Sequence, residues 1–115
     1  MTNRPKAKGT ALETAIVHHV RDLGLPALRV TLHGAYDRGD VHVHDADGRL
    51  HVIEAKNTPT RLDLPGALAE LAVEKVNAGA DRGVVVFKRK GTTDVGRYYA
   101  VQEFDDWLAT LRRPF

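Results

Sequence analysis

Apolar residues recur at a helical interval near the start of the chain. Thr10 can cap a helix whose stripe is Leu12, Ile16, Val20 and Leu23, close to a 3.6-residue period. Glu13 lies about 100° round from Leu12, on the flank of that stripe. Gly24 and Pro26 end the helix. The period then changes to two. Leu28 to Leu32 alternates as a strand does, and a loop from Gly34 to Gly39 follows. Asp40 to Asp45 alternates again, with Val41 and Val43 on one face and Asp40, His42 and His44 on the other. Arg49 to Lys56 puts Leu50, Val52, Glu54 and Lys56 together on one face. Asp63 reads as the cap of a second helix, with Pro65 in its first turn and Leu64, Leu68, Leu71, Ala72 and Val76 inward. Gly79 closes it. Val84 to Phe87 is a continuous apolar run, the mark of a strand buried on both faces. Arg97 to Val101 reads as a further strand, and a last helix buries Phe104, Trp107, Leu108 and Leu111. The order is α-β-β-β-α-β-β-α: a single α/β domain in which a mixed sheet is flanked by helices.

The turn after Asp45 decides which side chains meet. A two-residue Asp47-Gly48 loop pairs Asp40 with Ala55 and leaves Asp40 and Glu54 on opposite faces. A three-residue loop, Ala46-Asp47-Gly48 with Gly48 left-handed, pairs Asp40 with Glu54. Only the second register gathers acids, and it is the one expected here.

The chain has 115 residues and no cysteine. That length suits one core, and the missing cysteine excludes a disulfide scaffold or a cysteine zinc site. No apolar run approaches membrane-spanning length, and the N-terminus lacks the apolar stretch of a signal peptide, so a cytoplasmic protein without a membrane partner is expected. Residues 1–9 read as a flexible basic segment and 10–115 as the folded domain. Net charge is only +2, but the basic residues cluster. Arg4, Lys6 and Lys8 lie at the start, Lys88-Arg89-Lys90 form one run, and Arg112-Arg113 lie near the end. Such runs attract polyanions, although three charges alone are more often a solvated face. Here they accompany an acid pair.

Two carboxylates across a hairpin repel one another and raise one another's pKa. A divalent cation resolves the conflict. Asp40 and Glu54 supply hard oxygen ligands, and the backbone carbonyl of Ala55 is a plausible third. Lys56, two residues past Glu54 on the same face, brings a cation to a phosphate oxygen or an attacking water. Its bland alternative is a salt bridge to Glu54. The six histidines offer a rival in His42, His44 and His51. The expected register puts His51 on the face opposite His42 and His44, which disfavours a zinc site. Arg38, in the loop before Asp40, can meet a phosphate.

These stretches resemble the PD-(D/E)XK nuclease superfamily, and within it the archaeal-type Holliday junction resolvases and similar bacteriophage-encoded proteins. The resemblance rests on Lys8-Gly9-Thr10-Ala11-Leu12-Glu13, Asp37-Arg38-Gly39-Asp40, Val52-Ile53-Glu54-Ala55-Lys56-Asn57 and Gly83-Val84-Val85-Val86-Phe87-Lys88-Arg89. The family's proline before its metal-binding aspartate is absent, and Gly39 stands there. The resemblance implies a restriction-endonuclease-like fold. It implies that Glu13, Asp40 and Glu54 bind Mg²⁺, with Mn²⁺ able to substitute, and that Lys56 orients the nucleophilic water. It also implies a homodimer, and the function it points to is cleavage of four-way DNA junctions. The basic runs and the loop before Asp40 put Lys6, Lys8, Arg38, Lys88, Arg89 and Lys90 against the DNA. The alternatives are a nuclease of the same fold for flaps, overhangs or mismatches, and a non-catalytic DNA-binding module.

Overall fold

In the computed structural model, residues 4–30, 36–57 and 63–112 are described, with side chains from residue 9 onward. Helix α1 runs Arg4–Asp22 and therefore begins before Thr10, which is an interior residue and not the cap. Pro5 falls in the first turn, where its missing N–H costs nothing, and Ala7 and the lysines favour helix. Leu12, Ile16 and Val17 are buried as the stripe requires. Leu23 is exposed instead, because the helix stops at Asp22 and its side chain leaves the periodicity.

Strands β1 (Ala27–Arg29), β2 (Val41–His44) and β3 (Leu50–Lys56) form an antiparallel meander. Helix α2 (Leu64–Ala78) then crosses over to β4 (Arg82–Phe87), which lies parallel to β3. A 3₁₀ turn at Val95–Arg97, capped by Asp94 accepting from the Gly96 N–H at 3.1 Å, takes the place expected for the start of the last strand. Strand β5 is consequently only Tyr99–Val101, antiparallel to β4. The sheet order is β1-β2-β3-β4-β5.

The β2–β3 turn takes the three-residue form. Val41 pairs with Ile53 and His44 with Leu50. Asp45 donates its N–H to the Arg49 carbonyl at 2.9 Å, and Gly48 has φ +82°. The two faces of β3 serve different cores. Ile53 joins Val41, Val43, Leu12 and Ile16 under α1, while Val52 joins Leu71, Val85 and Phe87 under α2. Each fully buried aliphatic side chain contributes about 1.5–3 kcal/mol to this packing.

Helix α2 has the expected ends. Asp63 accepts from the Gly66 N–H at 3.0 Å, and Gly79 is left-handed at φ 69°. Its inward face differs from expectation. Ala67, Leu71 and Glu74 are buried, whereas Ala72 and Val76 are exposed. Helix α3 (Phe104–Leu111) also departs from expectation, for it buries no residue. Phe104, Trp107 and Leu111 are exposed, Leu108 is half-buried, and the Phe104 and Trp107 rings stack on each other at 6.0 Å. The reason is geometric: α1 and α2 already cover the two faces of the sheet. None of the described helices is long and apolar enough to cross a membrane.

Candidate active site

Strands β2 and β3 bring their chemistry together where the chain enters β2 and leaves β3. Gly39 turns the chain into β2 with φ +92°. A β-carbon there would overlap a Val52 methyl, so glycine is needed for space as well as for φ. The Asp37 carboxylate accepts from the Gly39 N–H at 2.9 Å and sets the turn. Asn77 of α2 donates to the Asp37 carbonyl at 2.8 Å and ties the loop to the helix. Asp40 then donates its N–H to the Ile53 carbonyl at 3.0 Å, and its Oδ2 accepts from the Ala55 N–H at 2.8 Å. The carboxylate is thus fixed against β3, within hydrogen-bonding reach of Glu54.

Glu54 is 5% exposed and Lys56 is half-buried beside it, with Nζ 3.6 Å from Glu54 Oε2. Two further acids arrive from α2. Glu70 accepts from Lys56 Nζ at 3.1 Å, and Glu74 is only 1% exposed. Oxygens of Glu54, Glu70 and Glu74 lie within 4.8 Å of one another. Neither Glu70 nor Glu74 was expected from the sequence. Glu74 had a signal: Ala67, Leu71, Glu74 and Ala78 follow the i, i+4, i+7, i+11 spacing of one helix face, so an acid occupies an inward position. Glu70 had none, since an exposed helical glutamate is ordinary.

Burial raises the Glu54 pKa far above the carboxylate range, reinforced by hydrogen bonding with Asp40 and Glu70 and by the charges of Asp40 and Glu74. Glu70 is held low in turn, chiefly by its hydrogen bond with Glu54 and also by Lys56. Glu74 is pushed up to about 8, by burial first and by Asp37 next. Its two oxygens have no donor within hydrogen-bonding distance among the described residues. Asp37 and Glu54 are themselves carboxylates, so a contact with either is a hydrogen bond only when one partner carries a proton. Burial works against the Lys56 charge, yet Glu70, Glu54 and Asp40 together keep its pKa above the ordinary lysine value. The site therefore retains protons that a cation would replace. Its all-oxygen donor set suits a hard divalent ion such as Mg²⁺, Mn²⁺ or Ca²⁺.

Glu13 stands on α1 next to this cluster. Burial and the Asp40 charge raise its pKa, and its Oε1 accepts from Arg29 Nε at 3.0 Å. The histidines do not converge. His42 Nε2 is 2.7 Å from the Arg38 carbonyl, and His51 Nε2 is 2.9 Å from Asp45 Oδ2. That contact, with the Arg49 N–H, lowers Asp45 to about 2.

Lys88 donates its backbone N–H to the Lys56 carbonyl at 2.9 Å, so the basic run leaves β4 beside the lysine of the site. A hollow of about 800 Å³ begins there, lined by Asn57, Lys88, Arg89 and Lys90 on one side and by Ala11 and Ala15 of α1 on the other. The Arg89 guanidinium lies 5.4 Å over the Tyr99 ring. Arg38 is exposed in the loop before Asp40. The Lys6 and Lys8 side chains lie outside the described residues.

No protein-family model matches the sequence, and no curated protein sequence is similar to it. A solved structure is similar in fold: that of Archaeoglobus fulgidus Hjc, a Holliday junction resolvase from an archaeal hyperthermophile. The likeness has a TM-score of 0.56 at 16% identity and covers 76% of this chain and 73% of that one. The five-stranded mixed sheet with its flanking helices is thus the restriction-endonuclease-like arrangement.

Proposed function

We propose that this chain is a metal-dependent, structure-selective endodeoxyribonuclease of the PD-(D/E)XK superfamily that resolves four-way DNA junctions as a homodimer. The observation that carries the reading is the convergence of Asp40, Glu54 and Lys56 across one hairpin, on a fold shared with a junction resolvase. Asp40, Glu54 and the Ala55 carbonyl would hold the metal, with Glu13 of α1 near Asp40. The ion, Mg²⁺ or Mn²⁺, would supply positive charge beside the phosphate and make a neighbouring water more acidic. The Ala55 N–H keeps the Asp40 carboxylate aimed, which spares reorganisation when a phosphate arrives. Lys56 exchanges a carboxylate for the phosphodiester and orients the attacking water. Lys88, Arg89 and Lys90 grip the backbone in the hollow beside it, and Arg38, exposed in the loop before Asp40, adds a further phosphate contact. In-line attack of water on phosphorus breaks the P–O3′ bond, and with a proton from solvent on the departing oxygen it leaves 5′-phosphate and 3′-hydroxyl ends.

Each chain offers one such site, whereas resolution takes two symmetric cuts. A two-fold dimer answers that symmetry. The test is incubation with Mg²⁺ and, separately, a fixed four-way junction, a flap, a nicked duplex and a plain duplex. Paired symmetric nicks in the junction alone are expected. Undiminished cutting in excess chelator would overturn the mechanism. Cutting confined to flaps would move the substrate to another branched DNA, and no cutting of any DNA would leave a binding module.

A further inference from the structure

We infer that the cluster holds a second divalent cation, on the α2 side of Glu54, bound by Glu54, Glu70 and Glu74. The first observation is an orphan. Glu74 is 1% exposed, and neither of its carboxylate oxygens has a donor among the described residues. A buried carboxylate without a partner is costly, and the chain builds this one deliberately on the inward face of α2, between Leu71 and Ala78. The second is placement. One oxygen from each of Glu54, Glu70 and Glu74 falls within a 4.8 Å sphere of mutual distance, the spacing of ligands around one ion, and Glu74 is aimed into it. Asp40 meets Glu54 from the other flank, and neither it nor Glu13 is one of the three. Asp40 comes from β2, on one flank of β3, with one oxygen committed to the Ala55 N–H. Glu70 and Glu74 come from α2, which packs on β3 and β4. Glu54 stands between, and a carboxylate with two oxygens can serve an ion on each side.

Charge points the same way. Asp37, Asp40, Glu54, Glu70 and Glu74 are five carboxylates, and among the described residues Lys56 is the one ammonium beside them; Lys75 of α2 is directed to Asp106 instead. With its protons displaced the cluster carries four negative charges, so one dication leaves it two short of neutral and two dications balance it. Counted as ligands, the three glutamate oxygens leave half of an octahedral shell to water, the usual habit of Mg²⁺. The ion also takes the Glu70 oxygen that Lys56 now holds.

The inference rests on the nuclease reading only for the first ion at Asp40, and its test contains no DNA. Mn²⁺ is titrated into the full chain at neutral pH, and the free ion is counted from its electron paramagnetic resonance signal. Two ions per chain are expected for the wild type, and one each for Glu74→Gln, Glu70→Gln and Asp40→Asn. Circular dichroism checks that each variant is folded. Glu70 is half-exposed, so Glu70→Gln decides the matter should Glu74→Gln not fold. One ion in the wild type would overturn the second site, as would two ions retained by Glu70→Gln. A chain that binds two ions yet cuts no DNA would overturn the nuclease reading and leave this one standing.

Discussion

Replacing Glu74 by glutamine removes a titrating group from the interior and keeps its shape. Glu74 is 1% exposed, with its pKa at about 8 against an ordinary 4.5. A carboxyl whose pKa is raised on folding favours the folded state while it is protonated in both states, below about pH 4.5. That contribution is lost as pH climbs from there through the folded pKa near 8, because the unfolded chain has released the proton and the folded one still holds it. The slope is about 1.36 kcal/mol per pH unit, so roughly 4 kcal/mol disappears between pH 5 and pH 8 in the absence of divalent ions. A whole domain is stable by only about 5–15 kcal/mol. Glutamine carries no such slope, though its amide, short of partners, costs about 1–3 kcal/mol at every pH. Glu74→Gln is therefore expected to be slightly less stable than wild type at pH 5 and more stable at pH 8. The difference between the two proteins should swing by about 4 kcal/mol. Urea unfolding followed by far-ultraviolet circular dichroism, in chelator at both pH values, measures it. A swing under about 1 kcal/mol would refute the account of Glu74 as a buried, uncompensated acid.

Asp40→Asn, Glu54→Gln and Lys56→Ala should each lower single-turnover cleavage of a junction by about 10²-fold or more while DNA binding survives, and wild-type cutting by Glu54→Gln would displace the site. Charge reversal at Lys88, Arg89 or Lys90 should do the opposite: weaken gel-shift affinity and flatten its salt dependence by about one unit of slope, with chemistry intact at saturating protein. Gly39→Ala should cost about 2–4 kcal/mol, because φ is +92° and the new methyl collides with the Val52 side chain. Unfolding within about 0.5 kcal/mol of wild type would show that the turn into β2 can re-form around a side chain.

The hairpin was legible because period-2 patterning and a single left-handed glycine together determine register. Once Gly48 closes a three-residue turn, Asp40 and Glu54 have to meet. The ends of α2 were legible for a similar reason, Asp63 and Gly79 each being the cheapest residue for its cap. The acids of α2 were not. Counting apolar side chains placed Ala72 and Val76 inward, whereas the helix turns Glu74 inward because Ala67, Leu71 and Ala78 define a better stripe against β3 and β4. The exposure of Phe104 and Trp107 was equally out of reach. It depends on α1 and α2 having already occupied both faces of the sheet, which no local pattern in α3 records. Thr10 misled because a good cap residue sits inside a helix that its lysines and alanine extend backwards.

Strand order in the sheet is the same as strand order in the chain, and this bears on how the domain assembles in time. Helix α1 and strands β1 to β3 already share a core, from Leu12 to Ile53. Such local contacts are expected to form first, because closing the crossover costs more loop entropy. Asp40 and Glu54 are neighbours at that stage, but Glu70 and Glu74 reach them only when α2 docks on β3 and β4. The repulsion among the acids then belongs to the last step of folding. Relieving it by Glu74→Gln at pH 8 should slow unfolding and leave the folding rate nearly unchanged. Stopped-flow measurements that show faster folding instead would mean that α2 is in place before the barrier is crossed.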